Sequence, residues 1–262
     1  MAGQGMVKSR LYLTFGAVLV LTPLLYLLAT YNYLIFHSLI DGISVAVAFA
    51  IFITGEQAYT ANNKQIFLAL SIVYFFVALL DLLHLCTYYG MKLLPISDPN
   101  VPTQLWVGAR SIEAFSLCLA PTFFTKNYRE GLAYLLYAVA VTGLIVTIFI
   151  VPIFPDCFIL GEGLTPFKIG MEYLVIVLLA IGIFRFSRWY PINARSPFSL
   201  VSVAMSLIIA AEVFFTTYID VYGFTNFTGH ILTVSARFVM YYAIFSGASW
   251  KQPDYFSNQN PY

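Results

Sequence analysis

The chain has 262 residues, 60% of them hydrophobic and only 10% charged, against roughly 25% charged in an ordinary soluble domain. That balance excludes a soluble globular domain, and a net charge of +1 spread over scattered basic residues excludes a nucleic-acid surface. Three cysteines at unrelated spacings form neither a zinc pattern nor a disulfide framework.

Eight apolar spans are expected, near residues 11–31, 35–54, 66–86, 103–125, 131–151, 166–186, 197–219 and 229–250. Each is about 20 residues long, the length that carries a helix across about 30 Å of hydrocarbon. Lipid offers no partner for backbone polar groups, so spanning segments are helices or closed barrels, and continuous apolar runs do not alternate as barrel strands do. The expected fold class is therefore all-α, a polytopic helical bundle. The first span follows Lys8 and Arg10, exceeds the apolar core of a signal peptide and precedes no small-residue cleavage site, which makes it an additional membrane helix over residues 1–31. Pro102, Pro166 and Pro197 suit first helical turns, where a missing N–H costs nothing.

Lys and Arg set the orientation. A cytoplasmic N-terminus puts Lys8, Arg10, Lys64, Lys126, Arg129, Arg185, Arg188, Arg195 and Lys251 inside, leaves Lys92 and Lys168 outside, and buries Arg110 and Arg237. Both termini are then cytoplasmic, in the inner (plasma) membrane. This orientation collects the unusual polar residues at one depth. His37 opens the second span with Asp41 at i+4, and Asp81 and His84 share a face near the outer end of the third. Trp106, Arg110 and Glu113 form one stripe in the fourth span. Glu172 begins the sixth, Glu212 and Asp220 lie toward the end of the seventh, and His230 begins the eighth with Arg237 two turns below. Every intramembrane charge is expected in the outer half.

Buried Arg–carboxylate pairs and anchored histidines also serve helix packing; for a single residue such as Glu172 or Arg237 that reading weighs as much as a functional one, and for each histidine taken alone it weighs more. The set as a whole is different. Asp41, Asp81, Glu113, Glu172 and Glu212 face only two buried arginines, so some acids must carry a proton, meet a charged histidine, or hold a cation or polar ligand. His37, His84 and His230 with these acids are candidate ligands for a divalent metal such as Zn²⁺ or Fe²⁺, or axial ligands for haem. Arg110 and Lys168 are the alternative, anion-binding pair. The loop over 152–165 is long enough to fold over such a site. No HExxH pattern and no activated nucleophile is present, so catalysis is not expected. The competing reading is an intramembrane metal- or haem-dependent enzyme, or a small-molecule or proton transporter, although the acids stop halfway across.

Five stretches in order, YLIFHSLIDGISVAVAFAIF, LLDLLHLCTYYGM, PTQLWVGARSIEAFSL, IFPDCFILGEGLTPFKIGMEYLV and EVFFTTYIDVYGFTNFTGHIL, resemble the third class of membrane-associated sensor domains of prokaryotic signalling proteins. The resemblance covers residues 33–245. It implies an integral membrane input module that binds a small ligand and signals to a cytoplasmic output domain or protein; a second copy of the chain, as a homodimer, is a further candidate partner. By resemblance the recurring polar positions are His37, Asp81, His84, Gln104, Trp106, Arg110, Glu113, Asp156, Lys168, Glu172, Glu212, Asp220, Asn226 and His230. The chain departs at Asp41, where the family carries glutamate, and at Thr233, where lysine commonly follows the Gly-His pair. The end at Tyr262, soon after the last span, leads to the expectation of a single sensor domain over residues 1–262 with no output domain.

Overall fold

The computed structural model describes residues 16, 20–96, 98–124, 129–189, 196–217 and 222–248. The helices are α1 (Val20–Tyr31), α2 (Tyr33–Asn62), α3 (Gln65–Thr87), α4 (Asn100–Leu119), α5 (Glu130–Ile145), α6 (Pro166–Trp189), α7 (Pro197–Phe215) and α8 (Phe224–Ala248). Among the described residues six helices are long and apolar enough to cross a membrane: α2, α3, α5 with its terminal π turn, α6, α7 and α8. The other two differ for separate reasons. Helix α1 is described over a short stretch only, and α4 carries Gln104, Arg110 and Glu113 on its inner face.

Local sequence explains the helix boundaries. Asn32 caps α2 by accepting from the Ile35 amide at 3.2 Å, and Asn63 closes it in the left-handed region at φ 52. Ser196 caps α7 ahead of Pro197, and the Thr165 hydroxyl accepts from the Lys168 amide at the start of α6. Helix α4 gives way at Ala120 to a 3₁₀ segment, Ala120–Phe124, so the regular fourth helix ends earlier than 125. Helix α2 runs eight residues past the expected 54 and brings Glu56 into the bundle, where it accepts from Ser71 at 2.8 Å and Tyr134 at 3.1 Å. The expectation that every intramembrane charge shares one half therefore fails at Glu56. Two neighbouring hydroxyls satisfy its carboxylate at the opposite end.

Helices α2, α3, α4, α6, α7 and α8 pack in that order as a closed ring, with α8 returning to α2. Helix α5 lies outside against α3. The apolar stretch of α3 is 78% buried and that of α5 only 11%, which makes α3 the most enclosed wall and α5 the most lipid-exposed. One half of the ring is filled by apolar side chains, among them Ile51, Phe67, Leu179, Phe186, Phe198, Met205 and Ile244. The other half, bounded by the N-termini of α2, α4, α6 and α8 and the C-termini of α3 and α7, holds the charges. The 151–165 segment closes over this end. It contains a two-residue antiparallel hairpin, Phe158–Ile159 with Gly163–Leu164, a small β element that an all-α expectation does not include.

Candidate functional site

The deeper of two polar clusters joins α3, α4 and α8. Arg110 donates to Asp81 at 2.5 Å and to Glu113, while Arg237 donates to Asp81 at 3.0 Å and to Glu113. Two guanidiniums and two carboxylates thus alternate around a closed, electrically neutral ring, each acid held by both arginines. The planar fork of arginine permits this, since each terminal nitrogen faces a different carboxylate. The aromatic faces of Trp106, 4.7 Å from the Arg110 guanidinium, and Tyr74, 5.0 Å from that of Arg237, cover the ring. All four charged residues are buried.

The second cluster lies one turn nearer the site end. Asp41 is its hub. His37 Nε2 stands 3.2 Å from Asp41 Oδ2, His84 Nε2 3.4 Å from the same oxygen, and His230 Nδ1 2.9 Å from Oδ1. His37 also stacks on Tyr88 at 3.4 Å between ring centroids. The two clusters are linked through shared helices: His84 is three residues from Asp81, Trp106 four from Arg110 and His230 seven from Arg237. The His37 ring centroid is 5.5 Å from that of His84 and 4.6 Å from that of His230, which leaves no room for a porphyrin between His37 and either of them.

On the opposite wall Lys168 pairs with Glu172 and donates to the Phe215 carbonyl at 2.5 Å. Glu212 is fully buried, and neither of its oxygens has a hydrogen-bond donor among the described residues. Here one cation meets two carboxyls, so the charge imbalance read from the sequence is localised to α6 and α7. Between the walls lies a cavity of about 30 Å³, lined by His84, Tyr88, Thr103, Trp106, Lys168, Asn226 and His230 among others. At about 10–15 Å³ per water, this holds about two waters. The indole N–H of Trp106 is buried there without an acceptor among the described residues.

Of the expected site residues, His37, Asp41, His84 and His230 converge on one carboxylate, Asp81, Arg110 and Glu113 on the ring, and Lys168, Glu172 and Glu212 on the third group. Asn226 and Trp106 line the cavity. Gln104 is placed elsewhere: its amide donates to the Phe154 and Pro155 carbonyls at 3.0 and 3.1 Å and pins the loop. Asp156 serves the same purpose by accepting from Asn100 at 2.7 Å. Asp220 lies outside the described residues. Arg110 and Lys168, the alternative anion-binding pair, fall in different groups, and both Arg110 terminal nitrogens are engaged by acids. Sequence reading left Arg237 out of the ligand set, although its seven-residue spacing from His230 put it on the right face. The sequence marked Pro102 only as a first-turn residue, not as the residue whose carbonyl takes the His84 Nδ1 hydrogen at 2.8 Å.

Phe158 of the loop packs on Trp106 and Phe215, so the hairpin is seated on the cavity wall. Beside it Cys157 is buried, and burial pushes its thiol up to about 12. All three cysteines are free thiols.

No curated protein and no solved structure gives a match to this chain. A family model does match, over residues 28–249, which span α2 to α8 and every residue of the three clusters. The chain therefore belongs to MASE3, the membrane-associated sensor domain family.

Proposed function

We propose that this membrane sensory domain receives its signal at the polar end of the ring, where a small ligand enters from the outer side of the inner membrane and engages the Asp41 cluster. The displacement then passes along α3 and α8 to their cytoplasmic ends and an output partner. Membership of a sensor family supports the input role. The observation that carries the site assignment is the stacking of two buried polar clusters that share α3 and α8. Any group that repositions His84 or His230 also moves the helices bearing Asp81 and Arg237. Buried charge rings have discrete arrangements rather than a continuum, which suits a two-state element. The unpartnered indole of Trp106 and the cavity beside it support entry of a polar ligand. Positive charge at Lys64, Arg185 and Arg188 supports a cytoplasmic assignment for the other end.

The test needs no knowledge of the ligand. The chain is joined to a histidine-kinase reporter through its C-terminus, and Asp41→Asn is compared with Leu136→Ala on the lipid face of α5. A shifted basal output in Asp41→Asn alone is expected. Output unchanged by Asp41→Asn, with normal membrane insertion, refutes the assignment.

A further inference from the structure

Three imidazoles surround Asp41, and two of them, His37 and His84, turn ring nitrogens toward the same carboxylate oxygen. His84 Nδ1 lies 2.8 Å from the Pro102 carbonyl, an acceptor only, so that nitrogen carries the hydrogen. In the neutral ring the Nε2 atom facing Asp41 is then a bare lone pair, 3.4 Å from a carboxylate oxygen. Two acceptors confronting each other in a buried site repel unless a cation lies between them. His37 reinforces the point, because among the described residues neither of its nitrogens has a hydrogen-bond partner although the side chain is fully buried. Among the described residues His84 Nε2 likewise has no hydrogen-bond partner, whereas His230 Nδ1 stands 2.9 Å from the other oxygen of Asp41.

We propose that His37, Asp41 and His84 form a binding site for a divalent transition-metal ion, with His230 steadying the second carboxylate oxygen. Donor atoms of the first three lie within 4.8 Å of one another. The His37–Asp41 and Asp41–His84 separations of 3.2 and 3.4 Å match the spacing of about 3.3–3.4 Å between two ligands held about 2.0–2.1 Å from one tetrahedral ion. His37 and Asp41 stand one helical turn apart on α2, and α3 supplies the third ligand. The Pro102 carbonyl then acts as the outer partner that fixes the His84 tautomer, as metal-bound histidines require. Two imidazoles and one carboxylate select Zn²⁺, Fe²⁺ or Co²⁺ over Ca²⁺ or Mg²⁺, which favour oxygen ligands. Three protein ligands leave a fourth position for a small molecule reaching the cavity that His84 and His230 line. An ion here ties α2 to α3 one turn from Asp81. The inference rests on the sensory reading for its consequence, and on geometry alone for the site.

The probe is Co²⁺, added to the tag-free, chelator-stripped full chain in detergent. One ion per chain is expected, with visible absorption of a low-symmetry site that Zn²⁺ abolishes. His37→Ala and His84→Ala each lower the affinity by more than about 100-fold, whereas His230→Ala, acting from outside the ligand set, costs about 10–100-fold. The chain has only three histidines, all in this cluster. X-ray absorption of the wild-type Co²⁺ form therefore tests the site even where a variant does not fold, and imidazole scattering is expected. Absence of stoichiometric binding, absence of imidazole scattering, or full affinity in His37→Ala and His84→Ala overturns the site. If metal fails to bind while Asp41→Asn still shifts the reporter, the metal is lost and the sensory reading stands. Stoichiometric binding with an unmoved reporter keeps the metal site and removes that reading.

Discussion

Closure of the arginine–carboxylate ring makes a sharp prediction about coupling. Removing one guanidinium, as in Arg110→Ala, leaves Asp81 and Glu113 sharing Arg237 and gives the buried ring a net negative charge. Loss of one partner from a buried pair costs about 3–5 kcal/mol, on the order of 10 °C in apparent melting temperature for a chain of this size. A second change at a neighbouring position of the ring, Asp81→Asn or Glu113→Gln, restores neutrality. It also retains an amide able to accept from Arg237, so part of the loss is recovered with a coupling of about 0.5–3 kcal/mol. All four neighbouring pairs behave this way: Arg110 with Asp81, Arg110 with Glu113, Arg237 with Asp81 and Arg237 with Glu113. The two diagonals behave oppositely, because Asp81→Asn with Glu113→Gln leaves two guanidiniums facing each other, and removing both arginines leaves two acids. Arg110→Lys recovers little, since a single ammonium cannot serve two carboxylates as a fork does. Thermal unfolding of the singles and doubles in one detergent measures every cycle. Additive losses along the four edges, or recovery along a diagonal, would refute the argument that the ring is one electrostatic unit.

The remaining predictions concern topology, reactivity and packing. A cysteine at Glu162, exposed at the hairpin tip, is expected to react with an impermeant maleimide from outside, whereas one at Arg188, exposed at the end of α6, reacts only after permeabilisation; labels with the reverse pattern invert the bundle. Cys157 is fully buried with its thiol raised to about 12, so at pH 8 it carries almost no thiolate and resists iodoacetamide in the folded protein. Mass spectrometry showing rapid alkylation there would contradict the seating of the hairpin. At Gly55 a Cβ would lie 2.7 Å from the Ser71 Cβ and 3.1 Å from the Phe67 carbonyl. Gly55→Ala is therefore expected to force α2 from α3 at a cost of about 1–3 kcal/mol, read as a lowered melting temperature.

Sequence alone established the solvent, the helical class and the depth of nearly every charge. Hydropathy marks where a chain leaves water, and helical rise converts residue number into depth. It also reached the Arg110 half of the ring: Glu113 lies three residues away on the same helix, and α3 and α4 are joined directly, so Asp81 and Arg110 meet at one level as antiparallel neighbours. What it could not supply was lateral order. Apolar helix faces look alike to lipid, and no local signal says that α8 closes the ring beside α2 and faces α3 and α4 across the interior. Only tertiary structure therefore placed Arg237 opposite Asp81 and Glu113, gathered three histidines from three helices onto Asp41, and left Glu212 without a donor among the described residues. The same limit misjudged Gln104, whose helix face agreed with the site but whose amide is taken by loop carbonyls. Depth is a property of one helix and its surroundings, whereas partnership belongs to the packing of several, and buried charges make that packing selective because each misplacement leaves one of them unpaired.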